Sequence, residues 1–378
     1  MVSNILSVFI YILMVLPSLV YKLMLKINNK KIWLISEGKE KARDNGYYLF
    51  RYIRQKYPND FVYYAIDIKS KDYAKVSKLG NVVKYGSLKH YLYYMVAVNI
   101  STEDFSCPSP IFKFLHMYLN LYNKRVFLQR GITKDNIKSL HYNKTKYKLF
   151  VCGAEKEYEF IKDNFNYPES NVKLLGLPRF DELYNIETSD KKILIMPTYR
   201  NYIGKRNFEN TTFYKKWNSL LNNDKLIKYI ENNDIKIYFY GHDKLNKYID
   251  KFNSTSNNII IVKDDRINEL IKESALLVTD YSSVYMDFAY MFKPVIYYQF
   301  DYKLYRDSGF KEGYFRYSKD AFGKIILDEE DVVNKIIAYI EMNYKIEKIY
   351  ADRINEFFKD KDKLNTERVY NAIKEMGD

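Results

Sequence analysis

Cysteine is scarce in this 378-residue chain: Cys107 and Cys152 are the only two. They lie far apart and outside any CxxC or Cys/His cluster, which excludes a disulfide framework and a thiolate zinc site and fits a reducing compartment. Histidine is nearly as rare, with four residues, and no HExxH sets two of them on one helix face. Glycine-rich phosphate loops are absent as well, since there is no GxxxxGK[ST], no strand-linked GxGxxG and no GxSxG. Nucleoside triphosphatase, dinucleotide oxidoreductase and serine hydrolase readings therefore lack their mechanical parts. The one DxD, Asp360-Lys361-Asp362, falls in a charged C-terminal stretch that reads as a solvated helix face, so it supports no metal site. Metal dependence stays open.

What the chain has is positive charge, with 61 Lys and Arg against 47 Asp and Glu, a formal net charge of +14. Such a balance suits an anionic partner. The lysines are scattered among acids, and no RNP, zinc-finger or helix-turn-helix signature gathers them, so a membrane surface or a phosphate-rich substrate ranks above nucleic acid. Residues 5–25, ILSVFIYILMVLPSLVYKLML, are almost wholly apolar and approach the length of a bilayer core. No basic residue precedes the run and no small-x-small cleavage pattern follows it. Lys22, Lys26, Lys30 and Lys31 sit at or beyond its C-terminal end, which favours a cytoplasmic body. A membrane-associating segment over residues 1–30 is expected, either spanning or lying in the interface, with a buried helix as the alternative.

A chain this long exceeds what one core usually organises, and nearly half its residues are apolar. From Lys31 onward, short β-branched or aromatic runs alternate with amphipathic helical stretches. KIWLIS, FVYYAIDI, NVVKYG, RVFLQRG and KLFVCG read as strands of a first domain, residues 31–187. After the polar interval NIETSDKK, the runs ILIMPTY, IKIYFYG, NIIIVKD, ALLVTD and VIYYQF read as strands of a second, residues 188–378, ending in amphipathic helices. This βαβ alternation predicts an α/β fold with two doubly wound parallel sheets.

Ligands of such sheets bind beyond the carboxyl ends of the strands. The residues there are Arg130 and Gly131 after VFLQ, Pro197 to Arg200 after ILIM, Gly241 and His242 after IYFY, and Asp280 to Ser283 after LLVT. Ser282 or Ser283 stands at the N-cap of the helical VYMDFAYMF, where free N–H groups and hydroxyls suit a phosphate, although Ser and Asp are also ordinary caps. Arg200 could clamp phosphate oxygens as a fork, and His242 could donate to phosphate or move a proton. His90, His116 and His141 have no comparable setting.

Taken in order, ISEGKEKARDNGYYLFRYIRQKYP, VFLQRGITKD, LLGLPRFDEL, MPTYR and LLVTDYSSVYMDFAYMFKPVIYYQFD resemble the CDP-glycerol:poly(glycerophosphate) glycerophosphotransferase family, the teichoic-acid polymerases and their relatives in capsule synthesis. The resemblance implies a GT-B architecture and peripheral attachment to the cytoplasmic face of the bacterial cell membrane. It also implies transfer of a polyol phosphate from CDP-glycerol or CDP-ribitol to a polyol-phosphate or polysaccharide acceptor, with CMP leaving. No cofactor beyond this donor is implied, and the oligomeric state is left open. Carried over by position, donor contacts fall to Thr198, Arg200, Asp280, Ser282 and Ser283, a phosphate or leaving-group contact to His242, and the acceptor side to Gly131, Arg179 and Asp181.

The family's first-domain segment reads QHG, its histidine activating the acceptor hydroxyl. Here it reads Gln129-Arg130-Gly131. Arginine keeps its proton, with a pKa above about 12, so it can stabilise phosphoryl charge but cannot act as the base. A transferase whose activity is weakened or lost in this form is the leading expectation. The alternatives are a non-catalytic donor- or polymer-binding subunit at the membrane and a nucleotide-sugar glycosyltransferase of GT-B type.

Overall fold

In the computed structural model the described residues are 2–376, without 104–107, 111–123, 185, 187, 204–206, 242, 265, 310 and 360. The chain divides into two compact units. One comprises Met1–Thr133, Ile137–Glu182 and Asp362–Asp378, the other Lys134–Asn136 and Leu183–Lys361.

The first unit is built on strands β1 (Trp33–Ser36), β2 (Val62–Ile66), β3 (Val82–Lys84), β4 (Val98–Ser101), β5 (Arg125–Phe127), β6 (Leu149–Cys152) and β7 (Val172–Leu174). They form one sheet in the order β3-β2-β1-β4-β5-β6-β7. Every pairing is parallel. The inner strands β1 and β6 are apolar runs buried on both faces, as a sheet covered by helices requires. Leu34, Ala65 and Val83 pack with Tyr93 and Tyr94 on one part of this core, while Phe127, Phe150 and Phe165 build another.

The second unit holds β8 (Ser189–Met196), β9 (Lys236–Tyr240), β10 (Ile259–Val262), β11 (Ser274–Thr279), β12 (Val295–Tyr298) and β13 (Gly323–Ile326). Their order is β10-β9-β8-β11-β12-β13, again all parallel. Both sheets thus reverse direction beside their first strand, the topology that opens a crevice at the strands' carboxyl ends. Trp217, Phe239 and Tyr298 centre the core.

The expected second domain ran to the chain's end, and here the structure corrects it. The helix Asn365–Lys374 belongs to the first unit. Tyr370 stacks on Tyr57 with ring centroids 4.3 Å apart, and its hydroxyl donates to Asp60 at 2.7 Å. Gly176, at φ +79°, lets Asn365 approach so closely that a Cβ there would overlap the Asn365 amide.

The apolar start of the chain forms two helices, Val2–Leu13 and Val15–Ile27, bent by 44°. The break falls where Pro17 withholds the N–H that the Leu13 carbonyl would accept. No single helix among the described residues is long and apolar enough to cross a membrane.

Candidate functional site

In the second unit, β8, β11 and β12 deliver three side chains to one buried point. Arg200 follows β8, Asp280 follows β11 and Asp301 follows β12. Arg200 forks onto Asp301 through Nε (2.8 Å) and Nη2 (3.0 Å), and its Nη1 reaches Asp280 Oδ2 at 2.9 Å and the Thr198 carbonyl at 2.6 Å. The Tyr281 ring lies 4.6 Å from the guanidinium and stacks on Tyr305 at 3.8 Å. Asp301 also accepts from the hydroxyls of Tyr202 and Tyr281. Asp280 accepts the backbone N–H groups of Thr198 and Tyr281, and Gln299 donates to its carbonyl.

This geometry places Arg200 and Asp280, expected as donor contacts, inside the protein: both are 0% exposed, and the guanidinium is engaged by protein acceptors. Burial opposes the charge on Arg200, but Asp280 and Asp301 outweigh it and raise its pKa. Burial likewise opposes the charge on Asp301, and Arg200 still holds that carboxyl below its ordinary value. Burial pushes Asp280 up against the pull of Arg200.

The two serines follow Asp280 and Tyr281 in the chain. Ser283 occupies the N-cap of the helix Val284–Tyr290, yet its side chain makes no capping bond, and it is exposed. Ser282 is half-buried and accepts weakly from the Val284 N–H at 3.4 Å. Thr198 is half-buried, with its hydroxyl buried and without a hydrogen bond. His242 lies outside the described residues, as do His116, Cys107 and Asp360.

Arg306 escaped the sequence reading. Its Nη1 donates to Asp135 at 2.7 Å, and Lys134 holds the other Asp135 oxygen at 2.7 Å. Nε and Nη2 of Arg306 are buried without a hydrogen bond among the described residues, with Glu312 3.7 Å from Nη2. The only signal in the sequence was its place on the helix that follows β12 and Asp301.

In the first unit, the carboxyl ends of β1, β5 and β6 are organised by two buried glutamates. Glu37, directly after β1, accepts the backbone N–H groups of Arg43, Asp44 and Tyr47 at the start of the helix Asn45–Lys56. Glu157 accepts those of Thr133 and Gly153. Asn45 donates to the Gln129 carbonyl at 2.8 Å and accepts from the Arg179 N–H at 3.0 Å. Gln129 sits at φ +61° with its amide turned back to the Val151 carbonyl. Arg179 bridges Asp44 Oδ1 and the Arg130 carbonyl.

The main chain on either side of position 130 is therefore fixed, while the Arg130 side chain is 47% exposed and ion-paired with Glu103. Gly131 beside it is half-buried. Asp181, expected on the acceptor side, instead anchors the C-terminal helix. It accepts from the N–H groups of Asn365 and Thr366 and from the Asn365 amide. Asp181→Ala is expected to cost about 2 kcal/mol, from orphaned donors and a lost charged cap, and to speed proteolysis around residues 362–376 in a timed digest.

Burial raises Glu37 to about 7, with a further push from Asp44, and raises Glu157 to about 7. Both folded values lie above the unfolded value of about 4.3. Folding therefore takes up protons between roughly pH 4.3 and 7, and these two groups stabilise the fold as pH falls through that window and lose that stability as it rises. The expected slope is at most about 1.4 kcal/mol per pH unit for each. Denaturant titrations across the window would show it, diminished in Glu157→Gln. His90 opposes this trend: its ring is buried between the Gly86 N–H and the Pro108 carbonyl, burial lowers its pKa to about 4, and between that value and about 6.5 folding releases a proton, so its contribution to stability falls as pH falls.

Comparison with known proteins identifies the family and the fold. Residues 18–375 match the family described as CDP-Glycerol:Poly(glycerophosphate) glycerophosphotransferase. The Minor teichoic acid biosynthesis protein GgaB of Bacillus subtilis (strain 168) is 35% identical over 366 residues, 92% of this chain and 40% of GgaB. The Teichoic acid glycerol-phosphate primase of the same organism is 25% identical over 60% of this chain and 58% of its own length. The chain thus spans about half the length of these relatives. Among solved structures, the Wall Teichoic Acid Polymerase TagF matches at TM-score 0.67 and 18% identity over 100% of both chains. A putative UDP-N-acetylglucosamine 2-epimerase from Listeria monocytogenes matches at TM-score 0.57 and 11% identity, over 91% of this chain and 96% of that one. At such identities the likeness is one of fold, two parallel-sheet α/β domains of the GT-B kind.

Proposed function

This chain belongs to the CDP-glycerol:poly(glycerophosphate) glycerophosphotransferase family, and we propose that it handles a CDP-activated polyol at the cytoplasmic membrane face, in synthesis of teichoic acid or a related capsular polymer. In the transfer, an acceptor hydroxyl oxygen attacks the polyol-linked phosphorus, the bond from that phosphorus to CMP breaks, CMP carries away the electron pair, and the hydroxyl proton passes to a base. The observation that carries the reading is the uncapped, exposed Ser283 hydroxyl after β11, three residues beyond Asp280 of the buried Asp280–Arg200–Asp301 frame.

Ser283 and Ser282 then donate to the donor's phosphates. Arg306, whose Nε and Nη2 make no hydrogen bond among the described residues and whose Nη2 lies 3.7 Å from Glu312, supplies the cationic contact first sought in Arg200. Arg130 supplies charge but no base. That observation favours a second reading, in which the chain holds its donor and turns it over slowly or not at all.

Titration calorimetry with CDP-glycerol, CDP-ribitol and UDP-N-acetylglucosamine separates these readings from a sugar transferase. The CDP-polyols are expected to bind, with Ser283→Ala weakening them about tenfold, the loss of one hydrogen bond to a charged group. Binding of the UDP-sugar without response to either CDP-polyol rejects the proposal.

A further inference from the structure

Arg130 cannot serve as a base, but the carboxylate that meets it can, and it comes from the neighbouring strand. β4 and β5 run parallel with Ser101 opposite Phe127, and the Leu128 N–H donates to the Ser101 carbonyl at 2.8 Å, so the pairing continues past the end of β5. Glu103 stands two residues beyond Ser101, and Arg130 three beyond Phe127. The Glu103 carboxylate is ion-paired with the Arg130 guanidinium.

The Glu103 main chain is held by the strand it leaves. Its N–H donates to the Ser101 hydroxyl at 2.9 Å, and that hydroxyl donates to the Glu103 carbonyl at 3.3 Å. Ser101 and Thr102 are buried, whereas the Glu103 side chain is 29% exposed. This anchoring presents an accessible carboxylate at the carboxyl edge of the sheet, where ligands of such folds bind. Other carboxylates at this edge have tasks of their own. Glu37 and Glu157 accept main-chain N–H groups, Asp181 holds the C-terminal helix, and Asp44 accepts from the Asn45 N–H and from Arg179.

We propose that Glu103 is the general base that takes the acceptor's proton, with Arg130 beside it stabilising the transferring phosphoryl group. The inference rests on the transferase reading given above. In the step, the Glu103 carboxylate accepts the proton of the acceptor hydroxyl as that oxygen bonds to the polyol-linked phosphorus. The bond from phosphorus to CMP breaks, and CMP leaves with the electron pair. Glu103 then passes the proton to solvent and is ready for the next cycle. An ionised carboxylate is an acceptor only, which suits it to a task that arginine cannot perform. Carboxylates are weaker bases than imidazoles, which matches the slow turnover expected of this chain. The guanidinium at its side supplies charge where charge develops.

The test follows CMP release from CDP-glycerol by the full chain with acceptor membranes, alongside calorimetric affinity for CDP-glycerol. Glu103→Gln should lower kcat about 100-fold, the smaller effect of removing a positioned base. Donor affinity should hold, and the melting temperature should move little for the loss of an exposed pair. Glu103→Ala should lose as much rate, and added formate, a free carboxylate, should restore part of it, which a merely structural role would not allow. Glu169→Gln serves as control. It removes another exposed, ion-paired carboxylate of the same unit, one that precedes β7 at the amino end of that strand, and should leave rate and affinity at the parent's level.

A Glu103→Gln rate equal to the parent's, a loss in Glu103→Ala that formate does not restore, or a fall in donor affinity that accounts for the loss would each overturn the proposal. So would CDP-glycerol binding with no CMP released by the parent, an outcome that leaves the donor-binding reading standing. Failure of every CDP-polyol to bind would reject the transferase reading itself and this inference with it, so the two failures are distinguishable.

Discussion

Arg200→Met is expected to destabilise the second unit by about 3–5 kcal/mol, the usual result of stranding buried carboxylates. In a domain of this size that lowers its melting temperature by roughly 10 °C. Asp280 and Asp301 would lose their shared counterion in a site with no exposure to speak of. Arg200→Lys should recover little, because a point charge cannot reproduce the fork onto Asp301 or the contact with the Tyr281 ring. Adding Asp301→Asn to Arg200→Met should restore part of the loss, since it removes one orphaned charge, and the double-mutant cycle would show that coupling. Were Arg200 instead a donor clamp, the single variant would keep its stability and lose only affinity for CDP-glycerol.

Arg130→His should raise CMP release from CDP-glycerol at least about 100-fold, the lower range for a positioned general base. The structure is ready for the change. Asn45, Gln129 and Arg179 fix the main chain, and the side chain projects from the end of β5 toward solvent. Losing the exposed ion pair to Glu103 costs about 1 kcal/mol or less. Glu103 would then neighbour an imidazole, favouring its charged form and raising its pKa above about 6.5. The rate should accordingly climb with pH through that raised value as the base loses its proton. An unchanged rate would mean that the base lies elsewhere or that this chain only binds its donor.

Much of the frame was legible in the sequence because a parallel sheet announces itself. Its strands are continuous apolar runs, and the residue after each run marks the functional edge, which is how Arg130, Arg200, Asp280 and the serines were found. The strands that escaped are β4, β7 and β13. VNIS runs on from an apolar helix without punctuation, while VKL and GKII are too short to show a period.

The roles of Arg200 and Asp181 were hidden for a different reason. A strand end gives a residue's position but not its partners, and Arg200 meets Asp301 across 101 residues of sequence. Asp181 meets the start of the C-terminal helix across 184. Only the fold shows that these charges satisfy each other.

The most direct measurement is turnover by the 378-residue chain with radiolabelled CDP-glycerol and acceptor membranes. The account predicts CMP released in step with glycerol phosphate entering polymer, slowly in the parent and faster with histidine substituted for Arg130. Release of UDP from a UDP-sugar, with no CMP formed from either CDP-glycerol or CDP-ribitol by parent or variant, would contradict it.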